Sequence, residues 1–266
     1  MYVLGIDIGS GFSKAVVLEG NALCAFAVMP SGGSYKETAR KIADDALVKS
    51  GLSRTDISYT LSTGYGASAV DFADQSATDI SCHALAINHL FRTVRTVVDI
   101  GTQFSKAIRV DESGKVTHFI LNEKCAGGSG RFLQLISRML HVNLEEIGEL
   151  SLKARKPVEF TTGCAVFAES EAVSRVAEGA RIEDILAGIH KAMASKIVNL
   201  VVRAGLVQDC AVTGGGAKDI GLVRSLEAEL GTVVLVPEQP QITAAYGAAL
   251  LAGLSKGRPS SFLWNT

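Results

Sequence analysis

The chain of 266 residues, 47% hydrophobic and 20% charged with 5 Pro, is long enough for one or two domains with sizeable cores, which excludes disordered, collagen-like and solenoid classes. Lys and Arg total 26 against 27 Asp and Glu, for a net charge of −1, and no basic block tracks a phosphate backbone, so nucleic acid is not an expected partner. The most apolar stretch, Thr243 to Leu254, runs for about a dozen residues without a charge, whereas a membrane-spanning helix needs ~20, so a cytoplasmic chain without membrane contact is expected. The five cysteines, Cys24, Cys82, Cys125, Cys164 and Cys210, are odd in number and form no CxxC pair, which argues against a disulfide framework.

In chain order, an apolar strand at Tyr2 to Ile6 passes through a Gly-containing turn into a β-rich run at Ala15 to Leu18. A helix follows at Tyr35 to Lys49, with Ala39, Ile42, Ala43 and Ala46 on one stripe and Gly51 as its stop. Ile57 to Leu61 reads as a strand closing on Ser62-Thr63-Gly64-Tyr65-Gly66, and Ser81 to Phe91 as a short helix. A second hairpin runs from Thr96–Val98 to Ala107–Val110, and Gly130 to His141, Ala165 to Glu178 and Ile182 to Ala204 read as helices. Asp209 to Val212 is a strand ending on Thr213-Gly214-Gly215-Gly216, Leu222 to Leu230 a helix, Thr232 to Val236 a strand and Ala244 to Leu254 a final helix. Strands alternating with helices imply an α/β architecture with largely covered sheets.

The two hairpins are copies of one another. Asp7-Ile8-Gly9-Ser10-Gly11-Phe12-Ser13-Lys14-Ala15-Val16 recurs as Asp99-Ile100-Gly101-Thr102-Gln103-Phe104-Ser105-Lys106-Ala107-Ile108, with seven of ten positions identical at an offset of 92. Two similar halves, each opening with the same hairpin, explain this most simply. A Gly turn lets backbone N–H groups approach phosphate oxygens, and a carboxylate at the strand end can hold hydrated Mg²⁺. The later triglycine turn admits the flat face of a nucleobase. No GxxxxGK[ST] or GxGxxG is present, so neither a P-loop nor a Rossmann site is expected.

These features, with the closing Ala-Ala-Tyr-Gly-Ala-Ala helix, resemble the duplicated actin-like (ribonuclease H-like) ATPase fold shared with sugar kinases and acetate kinase. Within it, Asp79-Ile80-Ser81-Cys82-His83, Asn122-Glu123-Lys124-Cys125-Ala126-Gly127-Gly128-Ser129-Gly130-Arg131-Phe132-Leu133 and Cys164-Ala165-Val166-Phe167-Ala168-Glu169-Ser170-Glu171 resemble the ATP-dependent activators of 2-hydroxyacyl-CoA dehydratases and the ATPase subunits of benzoyl-CoA reductase. The resemblance runs from Gly5 to about Leu254. It implies residues 1–91 with 243–266 as one domain, 92–242 as the other, and ATP in the cleft between them. It also implies a homodimer, or a pair with a homologous subunit, carrying one 4Fe-4S cluster at its interface. A ferredoxin- or flavodoxin-type donor would supply the electron that ATP hydrolysis drives into the dehydratase or reductase.

Residue by residue, Cys125 and Cys164 are the expected cluster ligands. Each precedes a predicted helix whose N–H groups and dipole favour a thiolate, and a twofold axis makes four ligands from two. Asp99 is assigned to hydrolysis, polarising the attacking water or orienting it through Mg²⁺, with Gln103 orienting the same water. Asp7 acts on the metal and phosphate side. Gly9, Ser10, Gly11, Lys14, Gly101, Thr102 and Lys106 are the expected phosphate contacts, and Gly214, Gly215 and Gly216 the base contacts. The family pattern differs at Thr102, commonly Gly, and at Phe104, commonly Asp. Cys24 and Cys210, in apolar strand-like runs, are expected in the core, and His83 is expected to make local hydrogen bonds. A small-molecule kinase of the sugar or acetate type and an actin-like nucleotide-binding regulator are the alternatives, but neither accounts for paired cysteines at helix starts.

Overall fold

The computed structural model describes residues 1–122, 126–160 and 165–255. The chain divides into two units: Met1–Arg92 with Ser113–Val116 and the chain from Ile242 onward, and Thr93–Glu112 with Thr117–Gln241.

The first unit is built on a five-stranded sheet in the order β3-β2-β1-β4-β5. β1 (Tyr2–Ile8), β2 (Phe12–Glu19) and β3 (Ala22–Pro30) form an antiparallel meander, while β4 (Ile57–Thr63) and the two-residue β5 (Gln75–Ser76) run parallel to β1. β1 is buried nearly throughout, as a central strand covered on both faces must be. One face takes α1 (Tyr35–Ser50), whose Ser34 cap accepts from the Glu37 N–H and whose end turns on Gly51 at φ 70°. Its predicted stripe of Ala39, Ile42, Ala43 and Ala46 is buried against Leu4, Ile6 and Ile8.

The other face takes the last helix of the chain, α8 (Thr243–Ser255), together with α2 (Asp79–Leu90). The uncharged run around α8 is thus a core helix, apolar all round because sheet and helix cover it. Two glycines permit its close approach. A Cβ at Gly5 would enter the α8 backbone at Ala245 and Ala249, and one at Gly247 would enter the α2 backbone at Cys82.

The second unit repeats the plan with the sheet order β8-β7-β6-β9. β6 (Thr96–Ile100) and β7 (Ser105–Val110) are antiparallel, β9 (Cys210–Thr213) runs parallel to β6, and β8 (Val116–Leu121) lies at the edge. Among the described residues its α-helices are α3 (Gly130–Met139), α4 (Ile147–Ser151), α5 (Ala165–Ala177), α6 (Ile182–Ala204) and α7 (Ile220–Leu230). By length and composition α6 could cross a membrane, but 56% of its most apolar window is buried, and Ile185, Leu186, Ile189, Met193 and Ile197 sit in this unit's core.

Two sequence expectations are corrected and one edge strand is added. Thr232 to Val236 is not a strand: it contributes one parallel bridge, Ala211 to Leu235. The Val234 N–H donates to Glu227 Oε1 at 3.2 Å, and Pro237 has no N–H to continue a ladder. The strand-like run around Cys24 is β3, an edge strand, while β8 was not anticipated; much of each strand is exposed. For the same reason Cys24, in β3, is exposed rather than in the core.

Candidate functional site

Each unit assembles the same half-site from the same short sequence. Strand register places Lys14 opposite Asp7 and Lys106 opposite Asp99. Lys14 Nζ lies 2.8 Å from Asp7 Oδ2, and Lys106 Nζ lies 3.1 Å from Asp99 Oδ2. Both carboxylates are buried, at 6% and 4% exposure, and a buried charge needs such a partner. The lysines expected to be phosphate contacts therefore neutralise the aspartates expected to bind metal. Among the described residues, no group of three or more His, Cys, Asp or Glu side chains converges as a ready-made metal site.

The turns close identically. The Gly9 N–H donates to Phe12 O at 3.1 Å, and the Gly101 N–H donates to Phe104 O at 3.0 Å. Phe104 thus serves the turn through its backbone, as Phe12 does, although its side chain departs from the family pattern. The carbonyls of each turn are then tied from behind. In the first unit, Ser31 Oγ donates to Gly9 O at 2.7 Å and the Ser31 N–H donates to Gly11 O at 2.9 Å. In the second, the Gly130 N–H donates to Gly101 O at 2.9 Å and the Arg131 N–H donates to Thr102 O at 2.8 Å. The C=O and N–H of a trans peptide point in opposite directions, so anchoring these carbonyls turns the N–H groups of Ser10, Thr102 and Gln103 away from the anchors. Successive N–H groups so directed suit an anion.

Sequence reasoning identified the turn at Gly214 to Gly216 but overlooked its twin. Thr63-Gly64-Tyr65-Gly66-Ala67 repeats Thr213-Gly214-Gly215-Gly216-Ala217 at four of five positions, a second internal signal. Gly64 and Gly214 have φ of 88° and 84°, and each lies against Oδ1 of its unit's aspartate, where no side chain would fit. Thr63 Oγ1 donates to Ala77 O and Thr213 Oγ1 donates to Pro240 O, both at 2.9 Å. The twins differ at the middle position. Tyr65 is 73% exposed with its ring edge-on to Tyr35, whereas a Cβ at Gly215 would meet only Gln241 Nε2, at 3.9 Å.

Behind the second twin, His190 of α6 bridges Ser151 Oγ and Asp219 Oδ2, each at 2.9 Å, and Asp219 caps α7 by accepting from the Leu222 N–H at 3.1 Å. This buried link fixes the segment that follows Gly216.

Cys125 and Cys164 lie outside the described residues; α3 begins five residues after the first and α5 directly after the second. Cys82 and Cys210 are buried, and burial pushes both thiols up to about 12. At Cys82 a hydrogen bond with Thr63 opposes that rise, while the negative Asp7 adds to it. Both are therefore inert as nucleophiles. Iodoacetamide at pH 8 is expected to alkylate Cys24 in the folded protein and to reach Cys82 and Cys210 only in denaturant, as peptide mass spectrometry would read. An unfolded thiol ionises near ~8.5, so between there and about 12 the folded state holds two protons that the unfolded state has released. Stability should fall as pH rises through that window, and the slope should flatten in Cys82→Ala/Cys210→Ala. An equally steep slope in the double variant would contradict the burial of these thiols.

The BadF/BadG/BcrA/BcrD ATPase family model matches residues 4–252. The activator of lactoyl-CoA dehydratase from Anaerotignum propionicum is 43% identical over 252 residues, covering 95% of this chain and 97% of that protein. A benzoyl-CoA reductase subunit from Thauera aromatica is 34% identical over 258 residues, covering 92% and 91% respectively. Among solved structures, the activator of the 2-hydroxyisocaproyl-CoA dehydratase from Clostridium difficile with bound ADPNP superposes with a TM-score of 0.94 at 37% identity, covering 100% of this chain and 99% of that one. With duplicated half-sites in an actin-like fold and a match along nearly its whole length, the chain belongs to the BadF/BadG/BcrA/BcrD ATPase family.

Proposed function

We propose that this protein hydrolyses ATP to activate a 2-hydroxyacyl-CoA dehydratase or a benzoyl-CoA reductase-type partner by delivering a low-potential electron. The observation that carries this reading is the duplicated hairpin turn, closed the same way twice and backed each time by a buried Asp–Lys pair.

The N–H groups of Ser10, Thr102 and Gln103 receive the phosphates, with Gly9, Gly11 and Gly101 keeping those turns free of side-chain bulk. Lys14 and Lys106 offset phosphate charge once the nucleotide shares their aspartates' field. Asp7 would hold hydrated Mg²⁺ on the phosphate side, and the ion would supply charge neutralisation at the transferring phosphoryl group. Asp99 and Gln103 position the attacking water. Gly214, Gly215 and Gly216 admit the base.

Cys125 and Cys164 are the chain's candidate ligands for a 4Fe-4S cluster, which supplies a one-electron carrier when bound. Two thiolates per chain call for two chains. A second copy, or a homologous subunit, is further supported by α5, which starts next to Cys164 and exposes Phe167, Val173 and Val176 at 65%, 52% and 47%. The reading places the protein in an anaerobic cytoplasm with a ferredoxin- or flavodoxin-type donor. Relatives named as activators favour it over the kinase alternative.

The test uses the open space at Gly215. A Cβ at Gly215 meets only Gln241 Nε2 within 4 Å, so Gly215→Leu should keep its melting temperature while nucleotide affinity drops at least about tenfold by calorimetry. Wild-type affinity in that variant would remove the base from this turn. Failure of the wild-type protein to hydrolyse ATP, or to activate a purified 2-hydroxyacyl-CoA dehydratase under reducing anaerobic conditions with ATP, would overturn the functional reading itself.

A further inference from the structure

The two phosphate turns are alike in front and differ behind. Behind the first stands Ser31, at the end of an edge strand, and Ser13 Oγ lies 2.8 Å from Ser31 Oγ. Behind the second stands the start of α3. The residue equivalent to Ser13 is Ser105, fully buried, and its hydroxyl donates to the Gly128 carbonyl, while its own carbonyl accepts from the Asn122 N–H at 2.9 Å.

An α-helix begins with N–H groups that its own turns cannot satisfy. In α3 the N-cap residue, Ser129, makes no side-chain capping hydrogen bond. Instead the Gly130 and Arg131 N–H groups are satisfied by the carbonyls of Gly101 and Thr102. The phosphate turn itself therefore caps α3. The approach is close, because a Cβ at Gly130 would lie 3.3 Å from the Gly101 carbonyl oxygen and 3.5 Å from Thr102 Cα.

We propose that Ser105 and the start of α3 form a relay through which the nucleotide's phosphate state reaches the segment following Cys125. The inference rests on the ATP reading above and adds its route. The peptides whose carbonyls hold α3 are the ones whose N–H groups face the phosphate. A phosphate on one side polarises each peptide and strengthens its hydrogen bond to the helix on the other, since hydrogen bonds in series reinforce one another. Loss of a phosphoryl group relaxes the turn and loosens the helix cap. Ser105 makes the relay stiff by tying β7, the strand leaving the turn, to Gly128, just ahead of the helix. It is a positioning residue that touches no nucleotide. The first turn has no such route, because Ser31 leads into α1, which carries no cysteine.

Hydrogen exchange on the full chain tests this. In the wild type, a non-hydrolysable ATP analogue should slow exchange in the peptide covering residues 129–135 by about tenfold relative to ADP. Ser105→Ala should keep analogue affinity by calorimetry and lose that difference, and Ser105→Thr, which retains the hydroxyl, should restore it. Should Ser105→Ala fail to fold, Gly130→Val provides the second arm, separating helix from turn and abolishing the same difference. A nucleotide-dependent difference that persists in either variant, or that is absent from wild type shown by calorimetry to bind the analogue, would overturn the relay. Wild type that binds no analogue at all would instead overturn the ATP reading on which the relay depends.

Discussion

Asp99→Asn is expected to lower ATP turnover by ~10²-fold or more while the nucleotide still binds, because the change removes the charge that aligns water and metal and leaves the turns at Gly101 and Gly214 in place. The structure adds a second consequence. Asp99 and Lys106 form an ion pair with side chains only 5% and 11% exposed, so the amide takes the Asp99 charge away from a buried ammonium. Breaking such a pair from one side typically costs about 3–5 kcal/mol, so the variant's unfolding midpoint should fall as well. Measuring turnover and nucleotide affinity well below that midpoint separates the two effects. The equivalent change in the first half, Asp7→Asn, breaks the Lys14 pair in the same way and should lower the unfolding midpoint comparably, while its effect on nucleotide and metal binding is read separately by calorimetry. Phosphate release at the wild-type rate from folded, nucleotide-bound Asp99→Asn would remove Asp99 from the hydrolytic step.

Cys125→Ser and Cys164→Ser should each strip iron from the protein, since either change deletes two of four ligands once a twofold axis is applied. Iron analysis and the visible spectrum after anaerobic reconstitution read the outcome directly. Nucleotide affinity should survive in both variants, because the turns proposed to hold the nucleotide are built from other residues. Retention of about four irons per dimer by both variants would exclude this ligand set.

The geometry of the candidate site was legible because it is built from short local patterns that were duplicated. Asp, Gly and Lys at fixed spacing across a two-strand hairpin determine which residues face each other, and strand register does the rest: Asp7 opposite Lys14 and Asp99 opposite Lys106 follow from counting along the turn. The Asp–Lys pairing itself was not anticipated, since it depends on burial. An exposed lysine would stay solvated, but one beside a buried carboxylate is held by it.

Edge elements were the least legible. β3 and β8 carry mixed faces because one side of each is open, and the stretch at Thr232 to Val236, apolar enough for a strand, lost its ladder to a Glu227 side chain and to Pro237. Cys24 looked like a core residue for its apolar neighbours and is exposed because its strand lies at the sheet edge.

By itself the sequence determined that the protein has two related halves, where the duplicated Gly turns lie and which family it resembles, because those properties reside in residue type and spacing along a few contiguous positions. Only the tertiary structure decided what stands behind each turn. Ser31 and the start of α3 reach their turns from 20 or more residues away in sequence, through hydrogen bonds that, apart from the one from the Ser31 hydroxyl, come from backbone N–H groups, which no residue pattern announces. The fold alone therefore distinguishes a turn anchored by a loop serine from one that caps a helix.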